Sequence, residues 1–172
     1  ITKDINPIYG SIQKLHDGNS NLIALCEDKI LKILANKDAL YNADGNVQLT
    51  STNNVLGTAI PYVGDYGISK NPESFASSSF RAYFADKQRG AMLRLSKDGL
   101  TPVSQHGMRT WFRDNLQLSN RLIGTFDGFK NEYNITLPDI EKTVTFREDV
   151  KGWTSFKSFV PESGLSVSGN YY

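Results

Sequence analysis

Apolar and polar positions change period several times along this chain. Between Arg81 and Val103 they alternate in short runs. Arg81–Ala85 reads as one strand, and Asp86–Gly90 as a turn in which Gly90 is free to take positive φ. Ala91, Leu93 and Leu95 then alternate with Met92, Arg94 and Ser96, which predicts one apolar face and one mostly polar face. Asp98-Gly99 offers a tight turn, and Leu100–Val103 a third strand. Three antiparallel strands in so short a span make a meander, the core of a β-propeller blade.

The same alternation occurs on either side. Leu22–Cys26 and Ile30–Leu34 form a compact hairpin around Glu27-Asp28-Lys29. Beyond Arg121, strands are predicted at Leu122–Phe126, Glu132–Leu137, Lys142–Arg147 and Trp153–Phe159, with Val144 and Phe146 inward. Tyr83 and Tyr133 lie 50 positions apart in equivalent strands, a spacing within the range of four-stranded propeller repeats. No Trp-Asp signature accompanies it.

Two segments have helical spacing. Asn6-Pro7 resembles a helix start, followed by Ile5, Ile8, Ile12 and Leu15 at helical intervals. Met108, Trp111, Phe112 and Leu116 predict an amphipathic helix of about three turns, with Arg109, Arg113 and Asp114 on its other side. Trp111-Phe112 reads either as an aromatic patch for a partner or as the side of a helix docked on a sheet. Residues 36–54 read as polar and irregular, with a short exposed strand at Gln48–Thr52; Val55–Ile68 reads as short strands joined by tight bends.

The fold class expected is therefore mainly β: antiparallel meanders resembling β-propeller blades, with one or two short inserted helices. The expected plan is one partial propeller-like module over 1–172. It comprises a helical lead-in over about 1–20, first blades over 21–104, an inserted helix over 105–119, a further blade over 120–160 and the start of the next strand over 161–172. The chain begins at Ile1 without a methionine and ends at Tyr171-Tyr172 as a strand opens, so it reads as a piece of a longer polypeptide.

Composition narrows the chemistry. The formal net charge is +1, so no global field draws in nucleic acid or anionic membrane. No apolar run approaches the length of a membrane span. Cys26 is the single cysteine, which leaves no intrachain disulfide, and with only His16 and His106 no zinc spacing exists. Asn42, Asp44 and Asn46 are spaced like the first ligands of a calcium loop. Val47 and Asn53 occupy the positions where that loop needs Gly and Glu, so an ordinary turn is expected and no cofactor or metal. Glu148-Asp149 is an adjacent carboxylate pair on a turn, where side chains ordinarily face water. No catalytic residue emerges. The candidate partner contacts are Arg109, Trp111, Arg113, Tyr171 and Tyr172.

The stretches Asn36–Asn46, Val63–Ala76, Phe80–Ser104 and Val144–Phe159 resemble virion structural proteins of large tailed bacteriophages, the crAss-like group included, over most of the chain. That resemblance implies a part of a tail or neck protein of nozzle or hub type, with no catalytic motif to carry over. It implies a non-enzymatic role in the virion after assembly in the bacterial cytoplasm, and partners that are other virion proteins and copies of itself. Two alternatives stay open: a carbohydrate- or receptor-binding module, since Trp111, Trp153, Tyr171 and Tyr172 could stack on sugars, and a tail-associated hydrolase.

Overall fold

The computed structural model describes residues 1–172, which divide into two compact units, Ile1–Gly67 and Ile68–Tyr172. Each is built on antiparallel meanders.

The first unit carries one four-stranded sheet in sequential order: β1 (Ile12–Asp17), β2 (Asn21–Cys26), β3 (Ile30–Tyr41) and β4 (Val47–Pro61). Ala24, Cys26, Leu31 and Ile33 cluster on one face, with Ile5, Tyr9, Leu22, Leu56 and Ala59 packed on them. Leu25 and Ile30 pair on the opposite face and are also fully buried. The helical lead-in expected over the first twenty residues is not formed. Asn6 does cap, accepting from the Ile8 amide at 3.1 Å, but only a single 3-10 turn follows, at Pro7–Tyr9. Gly10 then takes φ +76 and ends it. Backbone bonds from Asp28 to Tyr9 (3.0 Å) and from Glu27 to Ser11 (3.1 Å) draw the chain into extension beside β2. The Glu27 carboxylate also accepts from the Ser11 amide and hydroxyl. Ile12 and Leu15, whose spacing suggested a buried helical stripe, are exposed on an edge strand.

A second difference concerns residues 36–61. The short exposed strand expected at Gln48–Thr52 falls within β4, but the irregular stretch before it and the short bent strands after it are instead a β3–β4 ribbon, from Ala35↔Leu56 out to Tyr41↔Val47, with a register shift between Ala35 and Lys37. Its tip is a turn closed by the Asn42 amide on the Asn46 carbonyl at 2.9 Å and the Gly45 amide on the Asn42 carbonyl at 2.9 Å.

The second unit holds two further four-stranded meanders. One runs β5 (Ala76–Ser77), β6 (Ala82–Asp86), β7 (Ala91–Ser96), β8 (Gly99–Pro102). The other runs β9 (Ile123–Asp127), β10 (Glu132–Leu137), β11 (Lys142–Arg147), β12 (Gly152–Lys157). The helix α1 (Arg109–Asn115) separates them, and a two-stranded ribbon, β13 (Ser166–Val167) with β14 (Asn170–Tyr171), follows. The two meanders repeat in register. Ala76 pairs with Tyr83 as Phe126 pairs with Tyr133, an offset of 50 on both strands. Tyr83↔Arg94↔Thr101 corresponds to Tyr133↔Phe146↔Trp153, with the offset growing to 52.

Ala85, Met92, Tyr83, Val103, Phe112, Leu116, Leu122, Tyr133, Ile135, Leu137, Val144 and Phe146 make one buried core between these sheets. The expected core residues Ala91, Leu93, Leu95, Val144 and Phe146 are all buried. The mostly polar face expected of β7 is a correction: Met92 is fully buried there while Leu93 is fully buried on the other side, so β7 is covered on both faces. The sheets approach closely where Gly124 on β9 meets the turn before β5. A Cβ at Gly124 would lie 1.8 Å from the Ser74 carbonyl oxygen, so only glycine fits. Gly90, with φ +64, turns β6 into β7 as expected, and a Cβ there would press on the Arg113 backbone of α1 at 2.8 Å.

The other face of the last meander is polar yet buried. Thr136 and Thr143 hydroxyls lie 2.9 Å apart, and the Thr145 hydroxyl donates to Asn134 at 2.6 Å. The segment after β12 covers this layer: Thr143 donates to the Phe159 carbonyl at 2.7 Å, and the Thr125 and Tyr171 hydroxyls meet at 2.6 Å. These bonds satisfy groups that would otherwise cost a desolvation penalty.

Candidate functional site

The predicted partner-contact residues do not converge. The helix is shorter than its sequence spacing suggests: α1 spans seven residues and tightens into a 3-10 turn at Leu116–Leu118. Phe112 and Leu116 point into the core. Trp111 is half-buried, edge-on to Phe112 at 5.0 Å and to Phe156 of β12 at 5.5 Å. Arg109 and Arg113 are exposed, the latter paired with exposed Asp114 at 3.2 Å, an ion pair of small energetic weight. Tyr171 lies elsewhere, its hydroxyl on Thr125. The strand expected to stand open at Tyr171-Tyr172 is paired with β13, and Tyr172 exchanges both backbone bonds with Leu165, at 2.8 and 2.9 Å. The Tyr172 ring is exposed.

Trp153, the other indole considered for sugar stacking, is held inside. Its Nε1 donates to the Val103 carbonyl at 3.0 Å, and its ring lies 4.5 Å from Phe112 and 5.2 Å from Phe146 between centroids.

The densest chemistry surrounds Glu148. This side chain does not face water with Asp149: it is 9% exposed, turned inward from the β11–β12 turn. It binds the Arg94 guanidinium, accepts from the Tyr83 hydroxyl at 2.9 Å, and has Arg81 Nε at 3.7 Å. Asp149 points the other way, to Arg147 at 2.8 Å. The two carboxylates therefore do not form an acid pair. Burial, reinforced by the Glu148 bond and charge, raises the Tyr83 phenol above its ordinary range. Tyr133 is raised well above it by burial alone, and its hydroxyl donates to the Ser74 carbonyl at 2.6 Å. No spacing rule could have found the Glu148 cluster, because Tyr83 and Arg94 lie 65 and 54 positions away along the chain.

Two smaller polar centres brace the meanders. Asp86 is fully buried and accepts from the Ser69 hydroxyl at 2.9 Å and the Arg89 amide at 3.2 Å, closing the β6–β7 turn. Glu132 faces Lys157 at 3.4 Å and Arg147 at 4.0 Å across the last meander. In the first unit, a recess of about 400 Å³ is lined by Lys3, Asp4, Asn6, Tyr9 and Asp38, among others. The Asp38 carboxylate in it accepts from the Thr58 hydroxyl at 3.2 Å. No group of three His, Cys, Asp or Glu side chains is placed to hold a metal, and no helix is long and apolar enough to cross a membrane.

Repeating antiparallel meanders, with aromatic rings between them and inward carboxylates spent on guanidinium partners, define a β-meander packing module. In comparison with known families, a model of the Crassvirus muzzle protein matches residues 2–172. The chain belongs to the Crassvirus muzzle protein family, and so is a structural component of a crAss-like phage virion. No curated protein matches it.

Proposed function

We propose that the chain is a non-catalytic building part of the tail end of the particle, in the nozzle region that the word muzzle suggests. In this reading it is assembled in the bacterial cytoplasm, and its partners are other virion proteins and further copies of itself. Its meanders serve as rigid propeller-like modules in a larger β architecture. The family match over residues 2–172 carries the virion assignment. The commitment of Glu148 to two arginines and a tyrosine supports a packing role for a carboxylate expected from its turn position to face water.

Two measurements test this. Gold-labelled antibody raised against the exposed residues 41–51 is expected to mark the tail end of partly dissociated particles; label confined to the head would overturn the location. The purified chain is expected to leave polysaccharide, peptidoglycan and nucleic acid intact. Turnover abolished by one carboxylate-to-amide change would overturn the non-catalytic role.

A further inference from the structure

The segment after β12 is the least committed part of the second unit. None of residues 158–172 is buried. Its apolar side chains face outward: Leu165 is 62% and Tyr172 72% exposed, and the core of the unit has no member beyond Trp153. β13 and β14 pair only with each other, so no backbone ladder joins them to the larger sheets. Side-chain bonds hold the segment instead. Thr143 donates to the Phe159 carbonyl, Arg121 donates to the Glu162 carbonyl at 3.2 Å, the Gly128 amide donates to Ser166 Oγ at 3.3 Å, and the Tyr171 hydroxyl meets Thr125.

The seat is nonetheless specific. A Cβ at Gly164 would lie 2.4 Å from Thr125 Cγ2, so the chain passes over β9 where only glycine fits. β9 is an end strand of its sheet, and end strands need a cover or a charge to keep other chains off. Here β13 and β14 lie against it.

The layer beneath decides what lifting the segment costs. Thr136 bonds to Thr143, and Thr145 to Asn134, whether or not the segment is in place. The Thr125 and Thr143 hydroxyls are the buried groups that lose a partner, and water can replace it. The aromatic and aliphatic core lies on the opposite face of the sheet and stays closed. Ordering the segment costs backbone entropy, with few bonds and no buried apolar side chain set against it. A region of this kind sits at the low end of local stability.

We propose that residues 158–172 form a releasable strap. They lift from the last meander as one unit while its four strands stay folded, and lifting uncovers Thr125 and the end strand β9. The closed strap withholds that strand, and the open one presents it.

Hydrogen exchange of the whole chain, read by mass spectrometry, tests this. Peptides within 158–172 should exchange together, at least about a hundredfold faster than those of β10 and β11. Gly164→Val should hold the strap off Thr125, removing its protection while β10, β11 and the melting temperature stay as they were. A latch gives the converse. A Cβ at Gly128 would lie 3.0 Å from Ser166 Oγ, within disulfide reach, so oxidised Gly128→Cys with Ser166→Cys should slow strap exchange and reduction should restore it. A strap that exchanges as slowly as β10 and β11 overturns the proposal. So does a Gly164→Val variant whose sheets melt with the strap, or a closed latch that leaves exchange unchanged. None of these outcomes touches the virion assignment.

Discussion

Tyr83 and Tyr133 stack with ring centroids 5.1 Å apart and planes 19° from parallel, and they hold the same place in two successive meanders. Their hydroxyls leave the stack for different partners, Glu148 and the Ser74 carbonyl. The repeat is therefore one of backbone register and ring position, while the polar bonds at each site are individual.

Both phenols have raised pKa values in the folded chain, which fixes the sign of their pH effect. A raised group contributes its stability in full below its unfolded pKa, about 10 for tyrosine, and loses it as pH climbs through the folded value. The chain should keep this contribution at neutral pH and lose it in strong alkali. Of the eight tyrosines, Tyr83 and Tyr133 should form phenolate only as the second unit unfolds. Ultraviolet titration followed alongside circular dichroism checks this; eight freely ionising phenols in a folded chain would contradict the buried stack.

Glu148→Ala should destabilise the second unit by roughly 3 kcal/mol, because it strands the Arg94 guanidinium and the Tyr83 hydroxyl. Glu148→Gln should cost less, since an amide oxygen still accepts from Tyr83. Urea denaturation measures both. Equal and negligible losses would mean that the cluster is solvated.

Leu93→Asp places a charge at a position with no solvent exposure and should abolish cooperative folding of the second unit. A soluble variant with a sharp thermal transition would show that β7 is not covered on its Leu93 side.

Calcium should not raise the melting temperature beyond what magnesium does. The turn from Asn42 to Asn46 is closed by its own backbone bonds, with its side chains exposed. A calcium-specific rise of several degrees would assign that turn a ligand role.

Much of the second unit was legible from period alone. β7, β10 and β11 begin and end where alternation places them, because each is a short strand with an apolar inward face. The first unit was harder. Ile5, Ile8, Ile12 and Leu15 fall at helical spacing by coincidence, and Glu27, far along the chain, decides the conformation by binding Ser11. The outer β3–β4 ribbon was legible only as a short exposed strand at Gln48–Thr52, because both of its faces are exposed and no buried side sets apolar against polar positions along its full length. Trp111 and Phe112 are adjacent in sequence and pack on the same core, yet Phe112 is fully buried and Trp111 only half-buried at its margin, a difference that helical spacing alone does not decide. Glu148 was misread because its partners are remote residues that only tertiary packing brings together.

The hydroxyl layer under the last segment also has a mechanical meaning. Beyond β12 the chain is fastened to its meander through side-chain bonds at Thr143, Thr125, Arg121 and Ser166 and by a short ribbon. A pull on this end would load those fastenings one after another, like a peeled seam, while the rings around Tyr83 and Tyr133 share their load at once. Single-molecule extension from the C-terminal side should show a small, low-force release before the sheets rupture, and a single high-force event would speak against it. A part made this way gives slightly at one end before it breaks, as a joint does when the structure around it flexes.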